Sequence, residues 1–223
     1  MKKIMFNDKY GLTDAVLEGR KTMTRRRIVP PRTMEGKDVY GFAVVKYPRT
    51  NQPIEVMALD ADGAQIGNIL PKYKVGEVVA VAQNLRDMGY DGREKDWARG
   101  NFWGLDHTPE WTNKMFVCAS KCVHQIRITS VRIEQLRAIS DDDCYAEGVQ
   151  AVRTTDGCKY VAGGRRISDS ERNRIWAGEI KISDKCAFNT PREAFAALID
   201  KVSGRGTWEN NPYVFVYSFE LVK

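Results

Sequence analysis

The apolar residues of this 223-residue chain occur in short runs, and most of these runs have the spacing of β-strands. The C-terminal run from Tyr213 to Val222 predicts a strongly amphipathic or fully buried strand. The run from Val123 to Leu136 alternates apolar and polar residues, but its phase changes at Thr129-Ser130. Such a change indicates a bulge or a bend, so we expect a long bent strand of the kind found in small barrels. Shorter strands are predicted at Tyr40 to Lys46, Pro53 to Leu59 and Lys74 to Val81.

Helical patterns are fewer, and each is marked by a capping residue. Asn7 or Asp8 can begin a helix that Gly19 ends, since glycine accepts a left-handed backbone without steric cost. Ser140 can cap a second helix, and the three aspartates that follow it favour the positive helix start. Glu147 then lies on the last turn of this helix, just before a glycine.

A third helix is indicated by Thr190 to Glu193, which combines a capping box with proline at the first helical position. We expect this helix to reach about Val202.

Strands with only a few helices predict an α+β domain built round a closed or nearly closed β-barrel. The length fits one elaborated domain over residues 1–223. Insertions are expected at 30–70, which is rich in hairpin signals, at 86–114, and at 150–189, which is polar and expected to be partly flexible.

Charge and composition narrow the classes of partner and compartment. The formal net charge is +6, which modestly favours a polyanionic partner. No apolar run approaches the roughly 20 residues that span a bilayer, and Asp8 interrupts the stretch where a signal peptide would need apolar residues. We therefore expect a cytoplasmic protein with no membrane partner. The five cysteines are an odd number without close pairs, which indicates reduced thiols.

Metal and cofactor sites find little support in the sequence. Cys118, Cys122 and His124 lie close together, and Cys158 and Cys186 could in principle complete a tetrahedral zinc site. The spacing is not that of a CxxC knuckle, and buried free cysteines are the more ordinary interpretation. Glycine-rich phosphate loops and GxSxG elements are also missing. We therefore expect neither a metal nor a cofactor.

Residues 84–116 have no clear period, but aromatic and cationic residues alternate along them. Aromatic rings between cations can stack nucleobases while the cations contact phosphates. The alternative is an irregular lobe whose rings form a small core of their own, and it is favoured because buried aromatic side chains contribute strongly to core stability. The rings concerned are Tyr90, Trp97, Phe102, Trp103, Trp111 and Phe116.

The most concentrated charge lies in residues 18–27, EGRKTMTRRR, directly after the first predicted helix. A hydroxyl can act as a nucleophile when a neighbouring lysine takes its proton. Repulsion from the arginines favours the neutral form of Lys21, and Thr22 and Thr24 supply hydroxyls within reach. The alternative, which the residue pattern by itself favours, is a solvated basic edge with β-forming residues between the charges.

Several segments resemble the ASCH domain, a branch of the PUA-like β-barrel superfamily. The segment LEGRKTMTRR resembles the GRKTxTxR signature of that family, and Gly76-Glu77-Val78 occupies the place of its G-D-x strand entry. Residues 115–149 are similar to the central strand and acidic helix of phage and prophage members, and residues 194–222 to their closing segment. The resemblance implies an α+β, PUA-like (ASCH) β-barrel with a few flanking helices and large loop insertions.

The resemblance also implies an activity, because small bacterial members are amidohydrolases that remove the acetyl group of N4-acetylcytidine. It implies that Lys21 takes the proton of Thr24, whose oxygen attacks the acetyl carbonyl, and that Glu147 assists protonation of the leaving amine. It further implies contacts to substrate or nucleic acid from Arg20, Thr22, Arg26, Ser120 and Lys121. Among these, Arg20 and Arg26 are expected to lower the pKa of the lysine and to hold phosphate or an oxyanion.

Two departures from the family pattern concern substrate recognition. Residues Ala80 to Gln83 stand where phage relatives commonly carry a Trp-x-Arg-Glu run, in what the resemblance makes a wall of the cleft. Ser120-Lys121 replaces the usual Ser-Arg pair, which keeps the charge but loses the forked arginine donor.

Three functions stay open on the sequence. The first is an amidohydrolase of N4-acylated cytidine, acting on a nucleoside or on RNA. The second is a non-catalytic RNA-binding module that uses the same cleft, and the third is a ribonuclease. Glu147 favours catalysis, because a phosphate-binding cleft gains nothing from a buried carboxylate.

Overall fold

A computed structural model describes residues 1–92, 104–164, 166–183 and 186–222 of the chain. In chain order the elements are β1 (Lys3–Ile4), α1 (Leu12–Leu17), β2 (Met23–Arg27), β3 (Thr33–Met34), β4 (Lys37–Asp38), β5 (Gly41–Lys46), β6 (Pro53–Leu59), β7 (Gln65–Asn68), β8 (Val78–Val81), α2 (Pro109–Thr112), β9 (Gln125–Gln135), α3 (Asp141–Ala146), β10 (Val149–Thr154), β11 (Gly157–Ala162), α4 (Asp169–Trp176), α5 (Pro191–Ser203), α6 (Thr207–Asn210) and β12 (Tyr213–Leu221). Short 3₁₀ turns precede α1 at Asp8–Tyr10 and β9 at Ala119–Lys121.

The main sheet has five strands in the order β1-β8-β9-β12-β2. Only β1 and β8 run parallel among these pairs, and the other neighbours are antiparallel. The long strands β9 and β12 form its centre. Their register shifts where Ser218 faces Ser130 and Phe219 faces Ile128, which leaves Thr129 as the extra residue of a bulge. The phase change predicted at this point of the sequence is therefore confirmed.

Three smaller sheets surround the main one: the meander β5-β6-β7 and the hairpins β3-β4 and β10-β11. The hairpin-rich character predicted for residues 30–70 is confirmed by β3 to β7. The expectation for 150–189 was incomplete, because this polar segment contains the regular hairpin β10-β11 and the helix α4. Its strands bury only part of their side chains, so the apolar alternation that marks a strand is weak.

The predicted caps of α3 and α5 are confirmed, whereas the first helix begins later than expected. Asn7 caps only the 3₁₀ turn Asp8–Tyr10, and α1 starts at Leu12 because Gly11, with φ 60°, turns the chain between them. The Ser140 side chain accepts a hydrogen bond from the backbone N–H of Asp143 at 3.2 Å and caps α3. Thr190 and Glu193 form the predicted capping box of α5, with proline in its first turn. Strands with few helices make the molecule α+β, as expected. Within the described residues no pairing joins the edge strands β1 and β2, so a closed barrel and a PUA-like fold stay predictions.

The two faces of β12 contribute to two different hydrophobic clusters. Phe215 and Tyr217 belong to the larger cluster, which also receives Ile4 from one sheet edge and Ile28 from just beyond the other. The sheet therefore curves round this cluster and brings its edges towards each other. The opposite face, represented by Val216, packs with residues of α3 and α5 in the second cluster. Both helices are thereby fixed beside β2.

A third hydrophobic cluster includes residues from the described parts of the aromatic segment. It contains Leu105 and Val117, and the partly buried rings of Tyr90 and Trp111 pack against it. For these two rings the structural interpretation made from the sequence is confirmed. Phe116 is exposed, while Trp97, Phe102 and Trp103 lie outside the described residues.

No helix in the described part of the chain is long and apolar enough to cross a membrane. All five cysteines are free thiols. Among the described residues, no three His, Cys, Asp or Glu side chains are grouped so that they could hold a metal ion.

Candidate functional site

A cleft of about 750 Å³ opens between the two edges of the main sheet. One wall is formed by Met5 to Lys9, which follow β1, and the facing wall by Thr24 to Arg27 of β2. The segment Thr112 to Met115 closes one side. The apolar side chains of α5 that contribute to the lining are Phe195, Leu198, Ile199 and Val202. The cleft thus combines a polar strand with an apolar helix face.

Lys21 enters this cleft from the link between α1 and β2. Gly19 has φ +70°, a left-handed conformation that favours glycine, and it turns the chain out of the helix. The backbone N–H of Lys21 then donates to Ala15 O at 2.8 Å, and the N–H of Thr22 donates to Ala146 O at 2.8 Å. The link is therefore hydrogen-bonded to the ends of both α1 and α3, which leaves the Lys21 side chain only 3% exposed.

Glu147 meets Lys21 from the end of α3. Its backbone N–H donates to Asp143 O at 2.9 Å, and Gly148, with φ +101°, turns the chain directly after it into β10. The Lys21 ammonium donates to the Glu147 carboxylate and also to the Glu147 backbone oxygen, at 3.1 Å. The Glu147 residue is 3% exposed, so the pair is buried on both sides.

Burial lowers the pKa of Lys21 below the ordinary value of 10.5. The Glu147 carboxylate acts in the opposite direction, by its charge and by its hydrogen bond, while the positive charges of Arg26 and Arg25 lower the pKa further. The net direction is downward. Lys21 consequently holds its proton less firmly than a lysine in water and is suited to act as a base.

Arg25 was not singled out from the sequence, yet it is the most heavily paired cation of the site. Its side chain is 0% exposed, and its Nη atoms contact Glu147 at 3.3 Å, Glu134 at 3.1 Å and Asp143 at 2.5 Å. Burial by itself lowers the pKa of Arg25, but the carboxylates of Glu147, Glu134 and Asp143 outweigh it and raise this pKa. Asp143 also accepts from Arg132 Nη2 at 2.5 Å. The Glu147 carboxylate is therefore paired with Arg25 as well as with Lys21.

A sequence signal for Arg25 exists, but it is weak. The strand β2 alternates, so Arg25 shares a face with Met23 rather than with Thr24 and Arg26. Its acidic partners lie 109 to 122 residues further along the chain. Only the packing of β9 and α3 against β2 brings them together.

Thr24 is 5% exposed, lies opposite Tyr217 of β12 and lines the same cleft as Lys21 and Glu147. In the described structure, both hydrogen bonds of the Lys21 ammonium go to Glu147. Proton transfer from Thr24 to Lys21 would therefore need the amine to turn from the carboxylate towards the hydroxyl.

Two of the remaining predicted residues are arginines, and the structure places them apart. Arg26 lines the cleft, where Nη2 donates to Met5 O at 2.5 Å and the guanidinium lies 5.6 Å from the centre of the Phe6 ring. Its Nε is buried without a hydrogen-bond partner in the described part. Arg20 instead lines a separate cavity and pairs with Glu18 at 2.6 Å. The cations that lower the pKa of Lys21 are thus Arg26 and Arg25.

The other predicted contacts lie elsewhere. Thr22 is exposed, and it is not among the described residues that line the cleft. Ser120 and Lys121 belong to the 3₁₀ turn before β9, and Lys121 pairs with Glu110 at 3.0 Å. Residues 80–83 are buried in the core and are not among the described residues that line the cleft, so they do not form the expected cleft wall.

The rim of the cleft carries cations that were not assigned from the sequence: Lys9, Arg27 and Lys114. Lys114 is held in place, because its Nζ donates to Phe6 O at 2.5 Å and to Asp8 Oδ1 at 2.6 Å. A buried base, a hydroxyl and a carboxylate therefore share one cleft with a cationic rim. This arrangement can support nucleophilic attack on an acyl group and can also attract an anion.

No family model, curated protein or solved structure matches the chain. The resemblance to the ASCH domain therefore rests on the residues of its motifs alone.

Proposed function

We propose that the protein is a hydrolase that removes the acyl group from N4-acylated cytidine, as a nucleoside or within RNA, and that its sheet belongs to the PUA-like type. The observation that carries the proposal is the buried Lys21-Glu147 pair. A lysine whose pKa is lowered lies with Thr24 in a cleft large enough for a nucleoside. This set corresponds to the motif residues that suggest the activity.

In the first step, neutral Lys21 accepts the proton of the Thr24 hydroxyl while the hydroxyl oxygen bonds to the acetyl carbonyl carbon. The carbonyl oxygen takes up the negative charge, which Arg26 stabilises from the same face of β2 as Thr24. The carbon–nitrogen bond then breaks. The proton passes to N4 of cytidine with the help of Glu147, which leaves an acetyl ester on Thr24.

In the second step, water hydrolyses the ester. Lys21 accepts a proton from the water as its oxygen bonds to the ester carbon, and the Thr24 oxygen leaves and regains a proton. The acetic acid formed loses its proton to solvent, so the products of this step are acetate, a proton and the free enzyme. Arg25 contributes indirectly, since its hydrogen bond to Glu147 fixes the carboxylate beside the lysine.

The first test is turnover of N4-acetylcytidine to cytidine, followed by chromatography. Lys21→Met and Thr24→Val keep the side-chain volume but remove the base and the nucleophile. Each is expected to lower kcat by about 100- to 10,000-fold, the usual contribution of a positioned base. The matched controls Lys37→Met and Thr33→Val alter exposed residues of the β3-β4 hairpin outside the cleft lining, and they should leave kcat unchanged.

The cationic rim specifically favours a second function, a non-catalytic RNA-binding module. No turnover of the nucleoside or of acetylated RNA by the folded wild-type protein would refute the hydrolase. If RNA binding then proves salt-sensitive and is weakened by Lys21→Met, the cleft is a binding site only. RNA cleavage that Lys21→Met abolishes would instead identify a ribonuclease.

A further inference from the structure

A second cavity, of about 420 Å³, adjoins the chain segments that carry the Lys21-Glu147 pair. Arg20, directly before Lys21, lines it from one side. Val149 and Gln150, at the start of β10, line it from another. The two cavities therefore share their supporting backbone, although their lining residues differ.

Three arginines line this second cavity: Arg20, Arg166 and Arg172. No aspartate or glutamate is among its described lining residues. Guanidinium groups are planar, remain charged and match the oxygens of phosphate with paired donors. Even with Glu18 paired to Arg20, three guanidinium groups in the lining of one cavity can attract an oxyanion.

Arg20 supplies an independent indication that the cavity can accept an anion. Its Nε donates to Glu18 at 2.6 Å, and its side chain is 16% exposed. Its Nη2 is buried and has no hydrogen-bond partner in the described part of the structure. A buried charged donor without an acceptor is unfavourable, and an oxyanion in the cavity would supply one.

The Arg172 guanidinium is also held in place to bind an oxyanion in this cavity. Nη1 donates to Ala151 O at 2.6 Å and Nε donates to Ile167 O at 3.3 Å, which fixes the guanidinium between β10 and the start of α4. A guanidinium has five N–H donors, so these two bonds leave others for a ligand. Little side-chain entropy is then lost when an anion binds.

Arginine side chains, together with an exposed aromatic ring, also line a cavity next to this one. A neighbouring cavity of about 490 Å³ shares Ala151 and Arg172 with the cavity of Arg20 and is also lined by Arg153 and Trp176. Trp176 is 65% exposed, so its ring is available to stack on a nucleobase.

We propose that the cavity lined by Arg20, Arg166 and Arg172 is a phosphate-binding site. Its ligand is either the phosphate of a mononucleotide or the phosphates of single-stranded RNA. The site is independent of the proposed hydrolysis, because neither Arg166 nor Arg172 lines the cleft of Lys21.

The test is equilibrium binding of inorganic phosphate and a nucleoside monophosphate by calorimetry, and of a short fluorescent single-stranded RNA by anisotropy. The double variant Arg20→Gln/Arg166→Gln is expected to bind the preferred probe at least about tenfold more weakly, because two charge-assisted contacts are lost. The matched control is Arg174→Gln, also on α4, whose exposed side chain pairs with Glu179 at 3.2 Å and does not line the cavity. It should retain the wild-type affinity.

A Trp176→Leu variant distinguishes the two sources of phosphate. A loss confined to RNA identifies a polynucleotide, whereas a mononucleotide affinity that depends on the arginines alone identifies a single phosphate. The proposal is overturned if the wild-type protein binds none of the three probes, or if the double variant binds them as tightly as wild type. Hydrolysis of N4-acetylcytidine, which carries no phosphate, reports separately on the proposed function.

Discussion

At the scale of single residues, the site depends on the proton affinity of one amine. Lys21 is buried, and burial is the largest cause of its lowered pKa. Glu147 opposes this effect, while Arg26 and Arg25 reinforce it. A base must be neutral before it can accept a proton, so kcat of the proposed reaction should rise with pH as Lys21 loses its proton. The midpoint of that rise should lie below 10.5, the ordinary lysine value.

The charge of Arg26 provides a test of this assignment. Arg26→Gln removes a positive charge that lowers the pKa of Lys21, so this pKa should rise and the ascending limb of the kcat profile should move to higher pH. Arg27→Gln is the control, because Arg27 also lines the cleft but is not among the causes of the Lys21 shift. The measurement is kcat with saturating nucleoside from neutral to alkaline pH. A limb that moves to lower pH, or moves equally in both variants, would contradict Lys21 as the base.

The sequence allowed only part of this site to be predicted. Lys21, Thr24 and Glu147 came from a motif resemblance, and the structure lines one cleft with all three. Arg25 was missed because the partners that distinguish a buried, paired arginine from a solvated one lie on β9 and α3. Ser120 was assigned by its place in the motif, but its 3₁₀ turn lies outside the cleft lining in the described structure.

At the scale of elements, Arg25 connects three of them. From β2 it contacts Glu134 near the end of β9, Asp143 of α3 and Glu147 just after α3. Removal of one partner from a buried ion-pair network leaves a buried charge without compensation. This lowers the free energy of unfolding by more than the intact network contributes to it. The orientation of α3, and with it the position of Glu147, therefore depends on this guanidinium.

Arg25→Met is expected to lower the free energy of unfolding by about 3 kcal/mol, because three carboxylates lose their common cation. The control is Arg127→Met on β9, whose exposed partner Glu220 lies at 3.2 Å and whose loss should cost less than about 1 kcal/mol. Urea unfolding followed by circular dichroism measures both. Equal losses for the two variants would show that the Arg25 network contributes no more than a surface ion pair.

Elements were predictable where local signals are strong. The bounds of β6, the bulge in β9 and the caps of α3 and α5 all follow from alternation or from capping residues. The helix α4 also carries a local signal that could have revealed it, since Ser168 and Glu171 form a capping box. The helix α4 was not predicted because its faces are partly polar and lack a clear apolar stripe. The hairpin β10-β11 was not predicted because apolar and polar residues alternate only weakly along its strands. Pairing between strands far apart in sequence depends on the whole core.

At the scale of the whole molecule, a lysine of the sheet edge helps to attach the segment that closes one side of the cleft. Lys3 of β1 donates to the backbone oxygens of Lys114 at 3.0 Å, Met115 at 2.7 Å and Val117 at 2.6 Å. These contacts span more than 110 residues of chain. They hold the segment that carries Lys114 against the sheet edge, so this lysine helps to define the shape of the cleft.

Lys3→Met removes these three hydrogen bonds and should let the wall segment open locally. The backbone N–H groups of Met115 and Phe116 are protected by bonds to Asn113, at 2.9 Å and 3.2 Å, and their hydrogen exchange should become at least about tenfold faster. Lys2→Met is the control, since Lys2 bonds to Lys72 O at 2.7 Å and to Glu77, away from the wall. If exchange at Met115 and Phe116 is unchanged by Lys3→Met, the wall is held by the bonds of Lys114 and by its own packing. A selective acceleration would mean that the width of the cleft depends on the hydrogen bonds of Lys3 on β1. The KM of the proposed reaction should then rise in Lys3→Met with little change in kcat.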